Sequence, residues 1–158
     1  AIIPLKEVLI KYKIVVFGCD TEVISFIKNT QLNDWENFEY FGRIKHNKVL
    51  TLMSKALIYI GNSNSDGMPN TMLEAVCYGA FPIQSNPGKA TEEIITHHKN
   101  GLLIQNCDNV DEIQSHLQKS LKENILLQQA FDINIKMRKQ FEYQYIKEQV
   151  LDIYNTLN

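Results

Sequence analysis

At 158 residues the chain fits one domain of ordinary size, large enough to bury a core. Hydrophobic residues make up 44% and charged residues 22%, a globular composition that excludes dominant disorder. The formal net charge of -2 gives no cationic field for a polyanion, so nucleic acid is not an expected partner.

The first ten residues are apolar from the start, with no initiator Met, which reads as a piece of a longer chain. Residues 13–18 are a β-branched run stopped by Gly18, a buried strand. Asp20 or Thr21 is placed to cap the next helix, which runs to about Asn29 with Val23, Ile24 and Ile27 on one face. Residues 38–42 form a second strand ending in Gly, and Asn47 is the expected cap of a helix carrying Val49, Leu50, Leu52 and Met53. A third strand spans 56–61. The helix after it runs from about Pro69 to Tyr78, with Pro near its first turn and Gly79 just past its end. Residues 80–84 give a fourth strand, 90–96 a short helix and 101–104 a fifth strand. From Asp108 onward the pattern is helical in two or three segments.

Short strands alternating with helices predict βαβ units and a parallel sheet, with right-handed crossovers. The expected fold is therefore α/β: one Rossmann-like, doubly wound domain over residues 1–158 with a helical C-terminal tail. Cys19, Cys77 and Cys107 are odd in number and widely spaced, which supports neither a disulfide framework nor a zinc site; reduced, mostly buried thiols are expected, as in the cytoplasm. No secretory leader and no run of about 18 apolar residues is present, so the chain is not expected to span a membrane.

Open α/β sheets bind ligands beyond the carboxyl ends of their strands. The segment there is Gly61-Asn-Ser-Asn-Ser-Asp-Gly-Met-Pro-Asn-Thr-Met-Leu-Glu-Ala75, which leaves the third strand and enters a helix near Pro69. The first turn of that helix offers unpaired N–H groups and a positive dipole end, a seat for phosphate. Gly67 would let a ligand approach the backbone closely. Asp66 in the loop and Glu74 in the helix flank the turn, and carboxylates suit vicinal hydroxyls. Phosphate at the helix end with hydroxyls beside it describes a nucleotide-sugar. The same residues also make an ordinary helix start, with acids complementing the dipole, so spacing alone leaves both readings open.

Ser65-Asp-Gly-Met-Pro-Asn-Thr-Met-Leu-Glu-Ala75, with Gly79, Pro82, Ile83, Gly88, Glu92 and Asn100-Gly-Leu-Leu103 after it, resembles the signature region of family 4 glycosyltransferases, of GT-B fold. The resemblance covers most of the chain. It implies the C-terminal, donor-binding half of a retaining GT-B enzyme, with Asp66 and Glu74 as its candidate catalytic carboxylates. Asp66 matches the first glutamate of the E-x(7)-E pair, which contacts the donor sugar, and Glu74 the second, which binds the ribose. Gly67, Met68, Pro69 and Asn70 match the loop holding sugar hydroxyls, Pro69 through its carbonyl alone. Thr71 and Met72 match the turn whose N–H groups meet the diphosphate. Arg43 and Ile44 match the loop beside the nucleobase, and Gly88, Lys89 and Glu92 the Gly-containing turn and acid that follow.

The chain departs from the family pattern in four places. Asp66 replaces a glutamate, and the Gly-Gly turn reads Pro87-Gly88-Lys89. Glu92 keeps the spacing from Ser85 while Glu93 keeps the spacing to Gly101, so both stand as the matched acid. Nothing before Lys13 matches the family's first strand with its diphosphate-binding Arg and Lys, so that strand is expected to be missing; Lys89 is the residue placed to replace their charge. Among the other polar and aromatic residues, His97 and His98 read as solvated loop histidines, and Trp35 as packing over the domain edge. His46 is either exposed or close to the base or phosphate. Phe141, Tyr143, Tyr145, Ile146, Val150, Ile153 and Tyr154 form apolar faces suited to a missing partner.

The implied function is hexosyl transfer from a UDP- or GDP-linked donor, without metal or other cofactor, there being no D-x-D motif. The N-terminal GT-B domain would be the partner, leaving this piece inactive alone. The implied setting is bacterial surface polysaccharide (capsule) or glycoconjugate synthesis, in the cytoplasm, with room for peripheral association at the inner face of the membrane. A GT-B nucleotide-sugar epimerase would lack the Asp66 and Glu74 pair. A receiver-like signalling module would need acids where Asn62 and Ser63 stand.

Overall fold

The computed structural model describes residues 1–65 and 67–156. Its apolar opening is helical: a turn at Ile3–Leu5 leads into α1 (Lys6–Leu9), and Leu5 and Leu9, one helical turn apart, are both buried. β1 (Ile14–Val16) follows, then α2 (Thr21–Lys28), whose start is fixed by Asp20 Oδ1 accepting from the Val23 N–H at 2.8 Å. Ile27 is buried and Ile24 half-buried, but Val23 is exposed, so the apolar face is narrower than expected.

β2 (Phe38–Tyr40) precedes α3 (His46–Met53). The expected Asn47 cap is not realised. The capping position belongs to Lys45, without a side-chain bond, and the Asn47 carbonyl lies inside the helix, accepting from Thr51 Oγ1 at 2.9 Å. Packing rather than capping sets this helix, because Val49 and Met53 close onto Ala75 and Ala80.

β3 (Ile58–Gly61), α4 (Asn70–Cys77) and β4 (Phe81–Ser85) come next, then a helical turn at Ala90–Glu93 where a short helix to residue 96 was expected. β5 (Leu102–Ile104) leads into α5 (Val110–Lys122), α6 (Asn124–Met137), a turn at Arg138–Phe141 and α7 (Tyr143–Thr156). The end of α4 is a Schellman motif: the Gly79 N–H donates to Val76 O and the Ala80 N–H to Ala75 O. Gly79 has φ 85, and a Cβ there would also stand 2.5 Å from the Phe131 ring, so glycine is required twice over.

All strand pairs are parallel, as an α/β fold demands, but the expected single sheet is split. β1 pairs with β2, and β3, β4 and β5 form a second sheet in that order. One apolar cluster nevertheless runs beneath both, joining Ile14, Val16, Phe38, Tyr40 and Ile58 to Phe81, Ile83, Leu102 and Ile104. β4, with a neighbour on each side, is buried throughout, whereas β1 is only half-buried. Trp35 lies inside this cluster rather than over an edge.

The last turn before β5 is tied to α6 by amides. Asn100 and Asn134 are buried; Asn134 Nδ2 donates to the carbonyls of Ala80 (3.0 Å) and Asn100 (3.1 Å), and its Oδ1 accepts from Asn100 Nδ2 (3.0 Å). By contrast α7 buries no residue, leaving Tyr143, Ile146, Val150, Ile153 and Tyr154 exposed. Among the described residues no helix is long and apolar enough to cross a membrane.

Candidate functional site

The chain leaves β3 at Gly61 and reaches α4 at Asn70, beyond the carboxyl ends of β3 and β4. Close tethers hold this connection. A Cβ at Gly61 would lie 2.1 Å from Gln84 Oε1, so only glycine fits beside that side chain. The Ser63 N–H donates to Ser85 Oγ at 2.8 Å, Asn62 Nδ2 donates to Cys107 O, and Cys107 Sγ donates to Ser63 O. The Tyr59 and Thr71 hydroxyls meet at 2.9 Å, fixing the start of α4 to β3.

Pro69 is the N-cap of α4, and its carbonyl accepts from the Met72 N–H (3.1 Å) and the Leu73 N–H (3.2 Å). The Pro69 carbonyl, expected to hold a sugar hydroxyl, thus accepts twice within the helix, and the Met72 N–H, expected to meet a diphosphate, donates to it. The Met72 side chain is wholly buried beside Val76, Ile95 and Leu103, with Met68 half-buried against the same cluster. The open donors sit one step earlier: among the described residues the N–H groups of Asn70 and Thr71 have no partner. Gly67 is exposed, and a Cβ there would touch nothing in the chain itself, so its lack of a side chain serves no internal packing. Asp66 lies outside the described residues.

Glu74 stands four residues after Asn70 and three after Thr71 on α4, and helical side chains lean toward the N-terminus, which brings its carboxylate back toward that open turn. Its side chain is 25% exposed, and its Oε1 is 2.6 Å from His46 Nε2 on α3. Sequence gave no hint of this contact, because 28 residues separate the partners; His46 is exposed, one of the two readings its sequence allowed, and it meets the carboxylate across that distance. Just ahead of α3, Arg43 is exposed while Ile44 is half-buried against Val49, Met53, Ala75 and Ala80. Ile44 therefore lies between α3 and the side of α4 that faces it.

The turn after β4 is built on buried Asn86. Its Oδ1 accepts from Thr91 Oγ1 at 2.7 Å and its Nδ2 donates to Glu92 Oε1. Both acids matched by spacing are exposed, and Glu92 is the one tied to the end of β4. Gly88 and Lys89 are exposed at the tip, and Lys89, at φ 60, takes the left-handed conformation.

His97 and His98 are exposed but are more than solvated loop residues. His97 Nδ1 accepts from the Leu103 N–H at 2.9 Å, pinning β5, and its ring packs at a tilt against His98 (centroids 3.9 Å) and edge-on to His116 (5.6 Å). Partial burial holds both His97 and His98 below the ordinary histidine value, with neighbouring His116 and Lys119 adding to it and Glu112 or Glu123 opposing. The folded state therefore favours the neutral rings. Their contribution to stability is full above the unfolded value of about 6.5 and is lost as pH falls toward the lower folded values. Melting temperature is accordingly expected to drop between pH 7.5 and 5.5, and to drop less in a His97→Gln, His98→Gln double variant; equal drops in both would exclude this cause. The cysteines are all free, with Cys19 buried and Cys77 and Cys107 half-buried.

The family model described as "Glycosyl transferases group 1" matches residues 3–144. Among solved structures, the chain is similar to the pneumococcal O-GlcNAc transferase GtfA, determined in complex with UDP and GlcNAc, at TM-score 0.73 and 18% identity. That match covers 99% of this chain and 32% of the other, so the chain spans about a third of that protein's length and shares the fold of that part. No curated protein gives a significant match.

Proposed function

The chain belongs to the group 1 glycosyl transferases, and on that premise we propose that it is the donor-binding domain of a two-domain, retaining enzyme of family 4 type. One observation carries this reading: the free N–H groups of Asn70 and Thr71 open the first turn of α4, with the Glu74 carboxylate one turn on. A diphosphate at that turn accepts from both N–H groups and sits at the positive end of the helix, which stabilises it as a leaving group. Glu74 then lies where it can accept from ribose hydroxyls, with Arg43 and Ile44 toward the base. Gly67 precedes the helix on the sugar side, with Lys89 and Glu92 beyond the end of β4, and the resemblance assigns the sugar contact to Asp66.

The donor in this proposal is a UDP- or GDP-linked hexose, transferred to an acceptor held by a second, N-terminal domain. The split sheet supports a larger parent. Doubly wound sheets commonly run in the order 3-2-1-4-5-6, and β2-β1 followed by β3-β4-β5 matches that order with the first strand removed. A strand from a preceding segment would pair with β1 and β3 together and close the sheet over the shared cluster. The apolar side chains of α7 would pack on the other domain. The setting that belongs to this reading is bacterial surface polysaccharide or glycoconjugate synthesis at the inner face of the membrane.

Amide chemical-shift mapping with UDP and GDP tests the reading. The largest changes are expected at Asn70, Thr71, Glu74 and Arg43. Changes centred on α5, or the absence of any change, would overturn it.

A further inference from the structure

His46 opens α3 with its side chain 68% exposed, and the carboxylate of Glu74, on a different helix, sits 2.6 Å from its Nε2. A contact this exposed contributes little to stability. What it does fix is geometry. One carboxylate oxygen, Oε1, is occupied by the imidazole, while Oε2 accepts no hydrogen bond from any described residue. A glutamate on a helix surface otherwise samples several rotamers, and ordering it at the moment of binding costs entropy. The anchoring helices are themselves packed together through Val49, Met53, Ala75 and Ala80, so the contact joins two fixed supports.

We propose that His46 is a positioning residue for nucleoside recognition: by holding Oε1 of Glu74 it leaves Oε2 pre-oriented for the hydroxyls of a ribose. The inference rests on the donor-binding reading above and adds the residue through which Glu74 is made ready. It also links ribose recognition to the loop of Arg43 and Ile44, because His46 is only two residues beyond Ile44. A change in that loop moves the support of the carboxylate.

The test is calorimetry on the full chain with whichever of UDP, GDP and ADP the wild type binds most tightly, and with its 2′-deoxy form. His46→Leu is expected to weaken the ribonucleotide about tenfold, the size of one hydrogen bond to a charged group, and the 2′-deoxy form much less. Its melting temperature should stay at the wild-type value, a readout that separates positioning from a structural role. His46→Gln, whose amide can donate in place of Nε2, should restore most of the affinity. In a Glu74→Ala background His46→Leu should have no further effect.

Wild-type affinity in His46→Leu, or an equal loss with Glu74 already removed, would overturn the role of His46 while leaving the donor site standing. Failure of the wild type to bind any of the three nucleotides, or wild-type affinity in Glu74→Ala, would overturn the donor-binding reading and this inference with it.

Discussion

Asn134→Leu is expected to lower the melting temperature by about 10 °C, from a loss of about 3–4 kcal/mol at two to four degrees per kcal/mol for a chain of this size. Leucine has the same branched skeleton and is the larger of the two, so the cost is not a cavity. It comes from the groups left behind: Ala80 O and Asn100 O lose their donor and Asn100 Nδ2 loses an acceptor, around two side chains that are 0% and 2% exposed. Buried polar groups without partners are costly one by one, and here two carbonyls are orphaned together, while Asn100 Nδ2 keeps the Ile94 carbonyl. Asn134→Asp should fare no better, since a carboxylate faces the same two oxygens with nothing to donate. Thermal denaturation followed by circular dichroism measures both. A shift under 3 °C for Asn134→Leu would mean that these amides do not tie α6 to the turn before β5.

Glu74→Ala is expected to weaken nucleoside diphosphate binding by about 10- to 100-fold, the range for losing one or two hydrogen bonds to a charged acceptor. The fold should be retained. Alanine is the strongest helix former, and the lost His46 contact is largely exposed. The effect should concentrate in ribose recognition, so that inorganic pyrophosphate, which lacks a sugar, binds the variant as it binds the wild type. Competition between pyrophosphate and nucleotide in both proteins checks this.

Much of the architecture is written locally. β1 to β5 are short apolar runs, several ended by glycine, and Asp20 and Gly79 mark a helix start and a helix end by the mechanisms expected of them. The opening helix was not legible, because a brief run of Ile and Leu has no period that separates strand from helix. Asn47 looked like a cap by type, but the entry to α3 is decided by the packing of Val49 and Met53. Trp35 sits among polar neighbours in sequence, and nothing local shows that the main cluster closes around it.

The candidate site divides the same way. Its place, beyond β3 at the start of α4, follows from strand order and from the turn residues. Which donors remain open depends on where the helix takes its cap, and Pro69 claims the Met72 N–H that sequence had left for a ligand. The contacts of Glu74 with His46, Asn134 with Ala80 and Glu92 with Asn86 depend on how elements pack. The first two span 28 and 54 residues, so no window of sequence holds both partners.

Calorimetric titration of UDP, GDP and ADP into the chain, beside Glu74→Ala, tests the central claim most directly. The account predicts saturable binding of one nucleotide by the wild type and its loss, by at least tenfold, in the variant. No binding by any of the three, or binding that Glu74→Ala leaves untouched, would contradict a donor site at the start of α4.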